Sequence, residues 1–375
     1  MKRFFATAAV TTTATAVTAF AVPAIADTYC YAAGTRQADR PSQTSPNEWR
    51  GFLGQDHTPE AYTVQYPRDL APLIGATTLD DSVDEGVAKA LRLISLHDDG
   101  GRVYLIGVSQ GALVMARTKQ ALIADPDHGI DPEEITVGTF GDPVNPDGGF
   151  LAKLDRWNVN IPGFTPLTHT PGEGGYVTFA IEYDFMADAP DYPNPVSWAN
   201  AAMGGIYDHS SYSYDLIQEA AAEDRIVSNA QEWYRVSDNG EVADQADAYY
   251  QHNLIKQKNL PLTRPLREFG TSIADDRGDV VVNRAVDQLD NLLRPVVDAG
   301  YEGGQPGSTR HAGTLTKHYR DEDGNPVAEP GSTATSTTER TNRPLRDAVK
   351  NVRTQVKKAV NDTVDKIKSA AAPRD

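Results

Sequence analysis

Val103-Tyr104-Leu105-Ile106-Gly107-Val108-Ser109-Gln110-Gly111-Ala112 decides how this chain folds. A short apolar run without polar alternation suits a strand covered on both faces. It leads into Gly-x-Ser-x-Gly, and the helix-forming Gly111-Ala112-Leu113-Val114-Met115-Ala116 starts at once, so strand, tight turn and helix follow one another directly. Gly107 and Gly111 leave room for a turn that holds Ser109 in a strained backbone conformation, its hydroxyl raised above the sheet edge. The pattern predicts a nucleophile elbow with Ser109 as the nucleophile.

Working outward from the elbow, residues 28–33 and the alternating 62–66 read as strands. Ser82-Val83-Asp84-Glu85 has the form of a capping box, and Val83, Val87, Ala90, Leu91 and Ile94 share one helical face beyond it. Residues 102–106 form the next predicted strand, 112–124 the next helix, and 134–138 and 176–181 two more strands. Strands alternating with helices imply an α/β layered domain with a central, mostly parallel sheet. No internal repeat interrupts it.

A serine hydroxyl needs a base to take its proton and a carboxylate to orient that base, in the chain order Ser, Asp, His. Downstream histidines are His128, His169, His209, His252, His311 and His318. His128 lies only a helix length past the elbow, His169 precedes the 176–181 strand, and His311 and His318 fall in a linker-like region. His209 and His252 survive this sorting. The acid is expected after a late strand, where Tyr183 is followed by Asp184, with Asp188 four residues on; Asp184 at the strand end is the choice, and Asp188 is the alternative acid. His209, in Gly205-Ile206-Tyr207-Asp208-His209, comes soon after on a loop, and order and position favour it.

These residues resemble the PE-PPE domain serine esterases, cutinase-like α/β-hydrolases of mycobacteria and related actinobacteria. The similar segments are Ala33-Gly34-Thr35, Ser82-Val83-Asp84-Glu85-Gly86-Val87, Gly107 to Ala112 around Ser109, Gly141-Asp142-Pro143-Val144-Asn145-Pro146-Asp147-Gly148-Gly149, Tyr183-Asp184-Phe185-Met186-Ala187-Asp188-Ala189-Pro190 and Leu260-Pro261-Leu262-Thr263-Arg264-Pro265-Leu266-Arg267. The resemblance implies a triad of Ser109, Asp184 and His209 and a substrate among short- to medium-chain acyl esters. It also carries an alternative, acyl transfer to envelope glycolipids such as acyltrehaloses by the same triad. A third reading of another class is a non-catalytic envelope-binding protein, against which the full set of triad residues speaks.

The oxyanion hole is expected from the backbone N–H of Gln110, the residue after the nucleophile, and one from the loop after the first strand, Thr35 or Arg36. Between acid and base, the stretch from Tyr192 to Met203 is aromatic, apolar and rich in loop formers, and reads equally as a lid or acyl-binding wall and as a packed crossover.

Composition bounds the rest. The 375 residues carry a net charge of -17, which repels phosphate backbones, so nucleic acid is not an expected partner. One cysteine excludes an internal disulfide, and Cys30 is expected as a packed strand thiol. No phosphate loop, dinucleotide fingerprint or His-Glu-x-x-His helix is present, so neither cofactor nor metal is expected. The acidic cluster Asp275-Asp276-Arg277-Gly278-Asp279 lacks the spacing of a calcium loop and reads as a solvated turn.

Lys2-Arg3, a charge-free 4–26 and the small residues of Ala24-Ile25-Ala26 predict a signal peptide over 1–26, cleaved after Ala26, and a secreted or envelope location; a retained anchor is the alternative. The hydrolase domain is expected over 27–301, a flexible linker over 302–342 and a basic amphipathic helix over 343–370, where Leu345, Val349, Val352, Val356, Val360, Val364 and Ile367 recur at helical spacing. That helix either docks on its own domain or another helix, or contacts an acidic envelope or membrane surface.

Overall fold

The computed structural model describes residues 28–35, 62–97, 100–125, 129–165, 174–237, 239–243, 246, 248–273, 276–301, 313–321 and 326–329. The expected signal peptide at 1–26, Arg36 and the basic helix at 343–370 lie outside the described residues. No helix among those described is long and apolar enough to cross a membrane.

The strand at the elbow, β3 (Val103–Val108), is buried along its whole length, as its apolar run requires. It pairs in parallel with β1 (Thr28–Ala32) on one side and β4 (Ile135–Phe140) on the other; β2 (Tyr62–Thr63) continues beyond β1, and β5 (Gly174–Ile181) beyond β4. The sheet then runs through β7 (Ala248–Ile255), still parallel, to β6 (Ile226–Arg235), which is antiparallel to β7. Residues alternate between two cores. Val103 and Leu105 join Ile94, Val114 and Met115 on the face covered by α1 (Leu79–His97) and α2 (Gln110–Ala124). Tyr104 and Ile106 join Phe140, Phe179 and Ile217 on the other face, covered by α5 (Tyr214–Ala222). Because β1, β3, β4 and β5 are parallel, the loops after them meet at one edge, where sites form in open α/β sheets.

Two further helices bracket that edge. The helix α3 (Phe150–Arg156) follows the β4 loop, and α4 (Pro195–Tyr207) follows the β5 loop. After β7 come α6 (Arg264–Ile273) and the long α7 (Asp276–Asp298), which with Tyr183, Leu260 and Tyr301 make a separate apolar cluster beneath α4. Cys30 is buried in β1, and burial pushes its thiol up to about 12. Of the acidic cluster expected as a turn, Asp276 to Asp279 instead belong to the start of α7, and Asp275 lies outside the described residues.

Three further expectations are corrected. The helix read as opening at Ser82 begins at Leu79: Thr78 is the capping residue, its Oγ1 accepting from Asp81 N at 3.2 Å and donating to Asp81 Oδ2 at 2.7 Å, while Ser82 is buried inside α1. The pattern repeats one turn apart, and the earlier copy wins because Ser82 accepts from Asp69 N at 3.1 Å, a tertiary contact invisible to spacing. The strand read over 62–66 shortens to Tyr62–Thr63, with Val64 N still donating to Tyr31 O at 2.8 Å. The region read as a linker from 302 carries β8 (Thr314–Arg320), parallel to β6, and β9 (Pro326–Val327), antiparallel to β8, so the sheet extends beyond 301. Neither strand is buried; Trp233 stacks on His318 at 4.9 Å and Tyr234 lies beside Tyr319 at 6.0 Å. Pairing through exposed cross-strand contacts leaves little apolar signal in the sequence.

The two glycines of the elbow are required by close approach. A Cβ on Gly107 would lie 2.4 Å from Gly111 O, and one on Gly111 would lie 2.0 Å from Ala32 O. Gly111→Ala is therefore expected to push α2 off β1 and lower the unfolding free energy in urea by about 2 kcal/mol or more. An unchanged urea midpoint would show that α2 does not need this approach.

Candidate active site

The elbow leaves Ser109 at φ 52° and ψ -117°, a left-handed conformation uncommon for a residue with a Cβ. Two backbone hydrogen bonds fix it: Ser109 N donates to Phe140 O at 2.8 Å, and Ala112 N donates to Ser109 O at 2.9 Å. The half-buried side chain places Oγ 2.8 Å from His209 Nε2.

The acid turn begins where β5 ends. Tyr183 also has positive φ, at 69°, and Asp184 N donates to Ile181 O at 3.0 Å. The Asp184 carboxylate, fully buried, lies against His209 Nδ1, with Oδ2 at 2.8 Å and Oδ1 at 3.0 Å. Asp188 does other work: its Oδ2 accepts from Tyr183 N at 2.7 Å and closes the turn that presents Asp184. Of the two carboxylates left open by the sequence, Asp184 meets the imidazole. His252 sits inside β7, between Thr178 and Asn229 on the neighbouring strands.

His209, the candidate base, follows the end of α4. Asn194 caps this helix by accepting from Val196 N at 3.0 Å, and a Cβ at Gly204 would lie 2.1 Å from Tyr183 O, so α4 rests directly on the acid turn. Ser197 Oγ donates to Val297 O at 2.6 Å and Asn194 Nδ2 to Val296 O at 2.7 Å, tying α4 to α7. The Tyr192 to Met203 stretch is thus a packed crossover. Its outer Trp198 meets Phe185 at 6.0 Å and Trp157 at 6.1 Å, an aromatic group beside the acid turn. At the helix end, Asp208 N donates to Gly204 O at 2.7 Å and the Asp208 carboxylate pairs with Arg264 at 3.2 Å, so His209 leaves a fixed terminus.

The loop after β1 approaches the serine as expected. A Cβ on Gly34 would lie 3.1 Å from Ser109 Cβ, and partly exposed Thr35 follows it. Arg68 Nε donates to Gly34 O at 2.5 Å and the Tyr66 hydroxyl donates to Ala33 O, so both ends of this approach are held. Gln110 is the first residue of α2, where a backbone N–H lacks an intrahelical acceptor. Its buried side chain is turned away, Nε2 donating to Asp69 O at 2.5 Å.

Sequence reasoning missed Tyr212. Its hydroxyl donates to Asp184 Oδ2 at 2.7 Å and accepts from Ile181 N at 2.8 Å. A tyrosine three residues past a candidate histidine carries no motif, so only the fold reveals it. Burial lowers the His209 pKa, but the charge and hydrogen bond of Asp184 more than offset this and hold it above the ordinary 6.5. Burial lifts Asp208 to about 6, with Arg264 opposing and Asp184 adding to the rise.

With this geometry in place, comparison with known proteins adds the following. The PE-PPE domain family model matches residues 58–302, leaving β1 and the Gly34 loop before the matched span. Esterase PE16 of Mycobacterium tuberculosis is 28% identical over 244 residues, covering 63% of this chain and 41% of that protein. SL1278 acyltransferase Chp1 of the same organism is 28% identical over 253 residues, covering 66% and 55%. Diacyltrehalose acyltransferase Chp2, also from it, is 27% identical over 274 residues, covering 68% and 69%. The chain thus spans about half the length of the first two. A cutinase-like protein from Cryptococcus sp. overlaps 43% of this chain and 78% of its own at 16% identity, with a TM-score of 0.27.

The charge relation at His209 is testable without any substrate. By NMR, its imidazole is expected to titrate above 6.5. Asp184→Asn removes the opposing charge while burial stays, so the midpoint should fall below that of the parent; Asp188→Asn should move it less. A midpoint indifferent to Asp184→Asn would contradict the assignment of the acid.

Proposed function

Since the chain belongs to the PE-PPE domain family, we propose that it is an exported serine esterase or lipase acting on lipid-like acyl esters through Ser109, His209 and Asp184. The observation that carries this reading is the continuous contact from Ser109 Oγ to His209 Nε2 at 2.8 Å and from His209 Nδ1 to Asp184 Oδ2 at 2.8 Å. Homologues named as an esterase and as acyltransferases support acyl-ester chemistry in general.

In this mechanism Ser109 Oγ attacks the ester carbonyl as His209 Nε2 takes its proton. Asp184 holds Nδ1–H and stabilises the imidazolium. The oxyanion is received by the backbone N–H groups of Gln110 and Thr35, the second brought close by the Gly34 approach. His209 then protonates the departing alkoxide, leaving an acyl group on Ser109. Water, deprotonated by His209, releases the acid and restores the serine. His209 must be neutral to act as base, and its pKa is raised, so hydrolysis falls as pH drops through a midpoint above 6.5. The family resemblance implies short- to medium-chain acyl groups.

A second reading is favoured by the two relatives named as acyltransferases: the same acyl-enzyme transfers its acyl group to a sugar hydroxyl of an envelope glycolipid. Export is proposed from Lys2-Arg3 and the charge-free 4–26, and contact with an envelope or membrane surface through the 343–370 helix from its apolar repeat and flanking cations.

A fluorophosphonate probe should label the wild type and not Ser109→Ala, whose turnover of a p-nitrophenyl acyl ester should drop about 10⁴-fold or more. Labelling of the alanine variant would remove Ser109 as nucleophile. Product analysis with and without trehalose separates the two readings: free fatty acid alone means a hydrolase, acylated sugar formed in water a transferase.

A further inference from the structure

Beyond the three residues of the reading above, on which this inference rests, we propose that Tyr212 is a positioning residue that fixes the Asp184 carboxylate toward His209 and shares its charge. The phenolic hydroxyl of a tyrosine can both donate and accept. Here it accepts from Ile181 N at 2.8 Å, so its own proton is directed at Asp184 Oδ2, 2.7 Å away. With Met186 N donating to Oδ1 at 3.0 Å and His209 Nδ1 facing both oxygens, the carboxylate is gripped at each oxygen in one rotamer.

The ring is placed as firmly as the hydroxyl. Tyr212 is buried among Phe140, Phe179 and Ile217, and meets the His209 ring edge-on at 6.2 Å. A Cβ on Gly141 would lie 2.7 Å from Tyr212 Cε2 and 3.2 Å from His209 Cε1, so the glycine after β4 leaves the space that both rings occupy. The next residue, Ser213, caps α5 by accepting from Leu216 N at 3.1 Å. One short loop, clamped by α4 before it and α5 after it, therefore supplies both the base and a donor to the acid that orients the base. Geometric fidelity between acid and base follows from their sharing that loop, since a shift of His209 carries Tyr212 with it.

The test is Tyr212→Phe, which removes one oxygen and keeps the ring. The kcat for ester turnover should fall about ten- to a hundredfold, the range spanned by a hydrogen bond to a charged group, with KM nearly unchanged because the hydroxyl touches no substrate. The His209 titration midpoint, read by NMR, should rise, because the Asp184 charge is no longer shared with a second donor. In an Asp184→Asn background the same substitution should cost less than about twofold. An unchanged kcat and midpoint would overturn the proposal, and an equal loss in the Asp184→Asn background would assign Tyr212 to packing alone. Incorporating 3-fluorotyrosine at position 212 keeps ring and hydroxyl and makes a stronger donor, so it should lower the midpoint, and it serves if Tyr212→Phe does not fold. If the wild type shows no turnover, the esterase reading fails, while the NMR midpoints still decide the positioning role.

Discussion

A reactive hydroxyl can stand clear of a sheet edge only if the chain turns from strand to helix within a few residues, and here that demand falls on the contact between α2 and the two strands beneath it. Gly111 lies against Ala32 O and Gly107 against Gly111 O, so closely that no side chain fits at either place. The turn between them puts Ser109 into positive φ, and Phe140 O holds its N–H from the adjacent strand. Strain of this kind survives only where surrounding packing over-determines it. The buried run of β3, the two cores on either side and the covering helices supply that packing.

A second strained residue sets the acid. Tyr183 has positive φ, and its N–H, its ring and its hydroxyl are each engaged: the N–H by Asp188, the ring edge-on with Tyr301 at 5.7 Å, the hydroxyl with Asp298 at 2.7 Å and Arg294 at 3.0 Å. The cluster built by α7 thus reaches the acid turn from below, while α4 lies on it and delivers His209. Elements remote in sequence thus converge on the turn that carries Asp184. The distance between His209 and Ser109 consequently depends both on the elbow and on how α4, α7 and the β5 turn pack together.

Much of this was legible in the chain, for reasons that differ from place to place. Ser109 could be read because strand, glycine turn and helix are local, and each leaves its own composition. Asp184 and His209 could be read from chain order and loop position, although the choice between Asp184 and Asp188 needed three dimensions: both are buried near Tyr183, and only the direction of the carboxylate separates them. Tyr212 was not legible, since one hydroxyl bridging a strand end and a carboxylate has no spacing. The helix start at Leu79, capped by Thr78, was masked by a second capping pattern one turn later, whose Ser82 is engaged by Asp69 instead. Strands β6 and β7 carry the polar residues Ser228, Asn229, Gln231, Gln251 and Asn253 among their apolar ones, which blurs the period that marks a strand. β8 falls in the region expected as a linker because a strand that is not buried leaves little apolar signal.

The central claim is that Ser109 becomes covalently acylated during turnover. Rapid acid quench of the protein with a p-nitrophenyl acyl ester, followed by peptide mass spectrometry, tests it directly. The account predicts an acyl adduct on the peptide containing Ser109, formed within the first turnover and lost on further incubation in water. Turnover of the ester with that peptide unmodified at every quench time, or with the acyl group on another residue, would contradict it.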